Sequence, residues 1–232
     1  MSSAEESLVN PKRLKGMKRK KVLYIPMDSH SNILQKKLKR KAAKEINLGY
    51  GQIFILKDKF VLYQSVGASA AVLSLEGLIV SGAEEIIMLG FCGSLNREYP
   101  MRSAVSISRT LSEEGTSRHY FPHKRYFKPS LSLKKNIEKI LHSHHLPYLE
   151  GSLVSTDAPY RETKTWLEQK QRKGIDLVDM ETSAVFSLAE FRNVKASALM
   201  IVSDEIYGKK WKHMFSDPGL DEKIKKYYLP FI

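Results

Sequence analysis

A continuous apolar run, Ala198-Leu199-Met200-Ile201-Val202, leads directly into Ser203-Asp204. It lacks the polar–apolar alternation of a strand with one wet face. It therefore predicts a strand covered on both sides, as in a largely parallel sheet between helices. Asp204 then falls at the carboxyl end of that strand, where open α/β sheets place their ligand sites. Upstream lies Val178-Asp179-Met180-Glu181-Thr182. Residues 175–178 read as a short strand, and Glu181 opens a small-residue helical run over residues 182–191. Two carboxylates thus stand at the ends of two different buried elements. A carboxylate at the mouth of a dry strand is costly unless it has a partner, a proton or a task.

The rest of the chain alternates in the same manner. Residues 22–25 predict the first strand, and Ser31 or Asn32 would cap a helix running to about residue 46. Residues 52–56 and 60–66 predict two strands joined by a tight turn, followed by a helix over 69–81 that Gly82 ends. Further strands are expected over 85–89, 104–110 and 149–155, with helices over 133–142 and 162–173. This order implies the α/β class, with a mixed, mainly parallel sheet and helices on both faces.

With 232 residues, 42% of them hydrophobic, the chain suits one domain with a sizeable core, expected over residues 21–232. Residues 1–20 are polar, with Pro11 and Gly16, and predict a basic, loose arm. The net charge of +13 is concentrated early, at Lys12, Arg13, Lys15, Lys18, Arg19, Lys20 and Lys21, then at Lys36, Lys37, Lys39, Arg40, Lys41 and Lys44. Such a run reads either as a polyanion patch or as a tail followed by the solvated face of a helix. No aromatic residues interleave it as single-strand binders require, so the solvated face is expected and nucleic acid is not. No apolar run approaches the roughly 20 residues that span a bilayer, and no secretory h-region is present. Cys92, the one cysteine, excludes an intrachain disulfide and fits a reducing, cytoplasmic setting. His142, His144 and His145 lack acidic or thiol partners from other elements, so no metal is expected. Trp166 and Trp211 read as packing residues.

Five segments occur in an informative order: Ser65-Val66-Gly67-Ala68-Ser69-Ala70-Ala71 with Glu76; Leu89-Gly90-Phe91-Cys92-Gly93-Ser94-Leu95; Glu114-Gly115-Thr116-Ser117-Arg118-His119-Tyr120; Gly151-Ser152-Leu153-Val154-Ser155-Thr156-Asp157; and Asp179-Met180-Glu181 with Ser203-Asp204. Over about residues 22–207 they resemble the nucleoside phosphorylase and nucleosidase superfamily, whose members cleave the bond between a base and its ribose. The resemblance implies a three-layer α/β/α sandwich with a mixed central sheet, no cofactor, a small nucleoside substrate and a homo-oligomer of at least two copies. It implies that Glu181 holds the ribose hydroxyls and that Met180 packs on the sugar. Asp204 would be the general acid toward N7 of a purine, with burial raising its pKa. Asp179 and Ser203 would join the substrate contacts. Phe91, Cys92 and Gly93 would line the base edge, although Cys92 also reads as a small core residue. Tyr160, beside Pro159 where the family has an aromatic, would stack on the base. Arg118 and His119 would border the site or lie on the surface.

The phosphate ligands of the resembled family are missing. Its Gly-Asp-Pro-x-Arg turn is here Met27-Asp28-Ser29-His30-Ser31, its Arg is Met88, and its Ser is Phe91. An anion without a guanidinium is poorly held, so water is favoured over phosphate as acceptor. His30 occupies the position of the water-activating Glu of nucleosidases and reads as a general base or as a loop histidine. The stretch Arg161-Glu162-Thr163-Lys164-Thr165 lacks the Gln/Arg pair of uracil-specific members, which with Asp204 favours a purine. The other readings are a non-catalytic purine-binding or regulatory protein and a phosphorylase with a rearranged phosphate site.

Overall fold

The computed structural model describes residues 8–27, 32–208 and 210–232. In chain order the elements are β1 (Lys21–Ile25), α1 (Ile33–Lys41), β2 (Lys44–Asn47), β3 (Gln52–Ile55), β4 (Lys59–Tyr63), α2 (Ala68–Val80), β5 (Glu85–Ser94) and β6 (Ala104–Ser112). They continue with α3 (Ser117–Tyr120), β7 (Tyr126–Phe127), α4 (Leu131–Ser143), β8 (Leu149–Ser155), α5 (Lys164–Arg172), β9 (Leu177–Asp179), α6 (Thr182–Phe191), β10 (Lys195–Glu205), β11 (Lys212–His213) and α7 (Pro218–Tyr228).

The strands join in one mixed sheet. β4, β1, β5 and β10 run parallel, and β3 and β2 extend the β4 edge as an antiparallel meander. Beyond β10 the sheet curls: β10 pairs with β6, β6 with β8, β8 with β9, and β9 returns to β5 at Gly93↔Val178. Five strands therefore close a ring around the carboxyl end of β5.

The continuous apolar strands follow from burial on both faces. In β1, Val22 and Tyr24 pack in one core cluster and Leu23 and Ile25 in the other. In β10, Ala198, Met200 and Val202 face the first cluster, and Leu199 and Ile201 the second. The first is covered by α2 and α6, through residues such as Leu75, Leu78, Val185 and Leu188. The second is covered by α1, α4 and α7, through Leu34, Leu38, Ile137, Leu141, Ile224 and Tyr228. The result is the expected three-layer α/β/α arrangement. Each fully buried Val, Leu, Ile or Met contributes about 1.5–3 kcal/mol. Among the described residues no helix is long and apolar enough to cross a membrane.

Three sequence expectations are corrected. The helix expected to reach residue 46 stops at Lys41, because Ala43 donates its N–H to Ile55 O (2.9 Å) and the next residues add a strand to β3. Here an open sheet edge outweighs helix propensity. β5 does not end at Leu89 but continues through Gly93 and Ser94. The basic arm is seated on the fold over residues 13–19: Arg13 Nε donates to Val80 O (2.7 Å), Leu14 N to Ser81 Oγ (2.8 Å) and Arg19 Nε to Leu56 O (2.8 Å). Leu14 and Met17 pack on the first core cluster. An unforeseen final helix, α7, starts where the Asp217 side chain accepts from Gly219 N with Pro218 in the first turn.

Candidate active site

The carboxyl ends of β5, β9 and β10 open into a cavity of about 930 Å³. Among the residues that border it are Met27, Val66, Phe91, Cys92, Gly93, Glu162, Met180, Glu181, Ser203, Asp204 and Trp211. Of the sequence-predicted site residues, Asp179 and Tyr160 border the same cavity. His30 lies outside the described residues.

Glu181 is buried at the start of α6. Its Oε1 accepts from Gly67 N at 2.6 Å. Gly67 has a φ of 90°, a conformation that favours glycine, and this turn aims its N–H at the carboxyl group. Burial, followed by the charge of Asp179, pushes the Glu181 carboxyl up to about 8, and the backbone N–H groups of Gly67 and Met180 oppose the shift. Asp179 is raised as well, chiefly by burial. Its Oδ1 accepts from Ser155 Oγ (2.6 Å), and its Oδ2 from Thr182 N (3.0 Å) and Thr182 Oγ1. Asp179 thus ties the turn that presents Met180 and Glu181. Tyr24, whose hydroxyl donates to Ser65 O, is raised by burial and by these two carboxylates, so it remains a neutral donor.

Asp204 sits at a β-bulge. Val202 pairs with Cys92 and Asp204 with Gly93, leaving Ser203 as the extra residue. Bulges re-aim side chains, and here Asp204 is half-buried at the cavity. Its Oδ1 accepts from Ser203 Oγ (2.8 Å) and its Oδ2 from Trp211 Nε1 (2.9 Å). β11 makes this possible by pairing His213 with Asp204. Trp211 packs against His213 (ring centroids 4.7 Å apart) and Phe215 (6.1 Å), but its donor to Asp204 and its place in the cavity wall make it more than the packing residue expected. Trp166 does pack outside the cavity, with Nε1 donating to Glu113 Oε2 at 2.8 Å.

Phe91 and Cys92 point to opposite core clusters, and both border the cavity. The Cys92 thiol is pushed well up by burial, which keeps it neutral and unsuited to nucleophilic attack. Met88 is fully buried, with Thr182 Oγ1 at 3.5 Å from its Sδ, and does not reach the cavity. The cations among the described lining residues are Lys164 and Lys210. Tyr160 is 94% exposed at the rim.

Arg118 and His119 are exposed on α3 and are not among the lining residues. The segment they belong to serves as an anchor: buried Glu114 accepts from Ser112 Oγ (2.8 Å), Ser117 N (3.0 Å) and Ser183 Oγ (2.8 Å), fixing α6 against β6. Sequence reasoning missed Glu162. It follows a single helical turn, Pro159–Arg161, and borders the cavity beside Asp204. Burial, then the charge of Asp204, pushes it up to about 7. The available signal was its place directly after the Pro159 turn, in the stretch inspected for a uracil-binding pair.

A family model described as "Phosphorylase superfamily" matches residues 34–226. The chain is 25% identical over 168 residues to the "Guanosine phosphorylase" of Halorubrum lacusprofundi, covering 72% of this chain and 70% of that protein. Its fold is similar to that of purine nucleoside phosphorylase from Toxoplasma gondii in complex with immucillin-H, with a TM-score of 0.72, 18% identity, and 92% and 90% of the two chains covered. It is also similar to AMP nucleosidase from Bacteroides thetaiotaomicron, with a TM-score of 0.71, 17% identity, and 91% and 88% covered.

Proposed function

The chain belongs to the phosphorylase superfamily, and from that premise we propose that its cavity cleaves the N-glycosidic bond of a purine nucleoside, with water as the acceptor. The observation that carries this reading is the pairing of buried Glu181, at the start of α6, with Asp204, near the end of β10, around one cavity. Cleaving the bond builds positive charge on the ribose and negative charge on the base. Glu181, reached by backbone donors from Gly67 and Met180, hydrogen-bonds the ribose hydroxyls, and its ionised form favours the cationic sugar. Met180 supplies a polarizable apolar surface beneath it. The carboxyl groups on the Asp204 side meet the base, between Cys92, Gly93 and Ser203.

Water is favoured because the positions where the resembled phosphorylases hold phosphate are a buried thioether, Met88, and an aromatic ring, Phe91. Lys164 and Lys210, which belong to the segments around Glu162 and Trp211, do not occupy those positions. His30 is the proposed base toward water. A cytoplasmic homo-oligomer of at least two copies goes with this reading.

The test is incubation of the purified protein with adenosine, inosine, guanosine, methylthioadenosine and uridine, with and without phosphate. Free purine and free ribose without phosphate are expected. Strict phosphate dependence with ribose 1-phosphate would overturn the choice of acceptor. Absence of base release from every nucleoside would overturn the enzymatic reading in favour of a purine-binding protein.

A further inference from the structure

The Asp204 side of the cavity holds two carboxyl groups, and their surroundings differ. Both oxygens of Asp204 already accept hydrogen bonds, one from Ser203 Oγ and one from Trp211 Nε1. The indole N–H is a donor only, and each such donor favours the charged form of a carboxylate. Glu162 lines the same cavity from a different segment, directly after the turn at Pro159–Arg161. No hydrogen-bond or ion-pair partner of its carboxyl group is present among the described residues. Of two carboxyl groups lining one cavity, the one with fewer hydrogen-bond donors is the readier to hold a proton.

We infer that Glu162, rather than Asp204, delivers the proton to the leaving base. The inference rests on the glycosidic-cleavage reading and adds a catalytic residue to it. As the C1′–N9 bond breaks, its electron pair moves into the base. The Glu162 O–H transfers its proton to the base's imidazole nitrogen, so the purine departs neutral and Glu162 is left as a carboxylate. The acceptor oxygen bonds to C1′ and its proton passes to solvent, from which Glu162 is reprotonated. A carboxyl raised to about 7 by burial and by Asp204 suits this cycle near neutral pH.

The experiment compares wild type, Glu162→Gln and Asp204→Asn on inosine and on 4-nitrophenyl ribofuranoside, whose leaving group departs without a proton. In Glu162→Gln, kcat on inosine should fall by about 10²–10⁴-fold with little change in KM, while the nitrophenyl substrate is retained within a few-fold. The wild-type rate on inosine should decline as pH rises through about 7, and Glu162→Gln should lack that decline. In Asp204→Asn the decline should move to lower pH, because the charge that raises Glu162 is gone. Retention by Glu162→Gln of wild-type inosine activity and its alkaline decline would overturn the inference and return the role to Asp204, leaving glycosidic cleavage intact. If wild type does not accept the nitrophenyl riboside, the pH profiles decide alone. A wild type that releases no base from any nucleoside would overturn both readings.

Discussion

Gly93 and Asp204 meet across the β5–β10 ladder so closely that a Cβ on Gly93 would stand 3.0 Å from Asp204 Oδ2. The same Cβ would stand 3.1 Å from Val178 Cγ1. Val178 is fixed by the β5–β9 pairing, so the carboxylate is the group that must move. In Gly93→Ala, Asp204 should be pushed off the Trp211 donor. We expect kcat/KM to fall by about tenfold or more, with a stability loss of about 1–3 kcal/mol from overpacking. Steady-state kinetics beside a denaturant titration separate the two effects.

Glu181 should leave a signature in stability as well as in rate. Its carboxyl is raised to about 8 in the folded protein, above its ordinary value. Between those two values the folded state binds more protons than the unfolded state. The contribution of this group is therefore full at acid pH and is lost as pH rises through about 8. Glu181→Gln cannot ionise, so it should melt higher than wild type at alkaline pH, by about 2–4 °C for each kcal/mol recovered. The gap should shrink toward acid pH. The same variant should lose base release. A melting difference that is constant with pH would contradict the assignment.

Met88 provides a test of why arginine is absent. It is fully buried, in contact with Thr182, and does not line the active-site cavity. Met88→Arg should therefore cost about 3–5 kcal/mol as an unpaired buried charge, without making base release depend on phosphate. Met88→Leu, similar in volume, should cost less than about 1.5 kcal/mol. Denaturant midpoints and a phosphate titration of the rate check both statements.

Trp211 holds Asp204 through its indole nitrogen. Trp211→Phe keeps the ring packing and removes the donor, so kcat/KM should fall by about tenfold, the value of a hydrogen bond to a charged group. With Trp166→Phe as background, Trp211 is the single indole, and its emission should respond to purine nucleosides. An unresponsive spectrum during turnover would place the ligand elsewhere.

Much of the layer architecture was legible because burial on both faces writes itself as uninterrupted apolar runs, as at residues 198–202, and because α6 is built of small buried residues. Glu181 and Asp204 stood out because each lies at the end of a buried element, Glu181 at the start of α6 and Asp204 near the end of β10. What escaped depends on contacts distant in sequence. Nothing local marks residues 44–47 as a strand, since their pairing partner is β3. Trp211 becomes a site residue through β11, a two-residue strand with no pattern of its own. Glu162 gains its character from burial and then from the charge of Asp204, neither of which is local in sequence. Tyr160, expected to stack on the base, stands exposed at the rim, because the turn after Pro159 carries its ring outward.

β5 and β10 are laddered from Lys195↔Glu85 to Glu205↔Ser94, so Phe91, Cys92, Gly93, Ser203 and Asp204 belong to one backbone frame. Glu162 and Trp211 come from segments outside that frame. The carboxylate frame is thus encoded apart from the segments that complete the site. Exchange of residues 206–215 with those of a relative would change which base is admitted, while Glu162 and the bond that breaks stay the same.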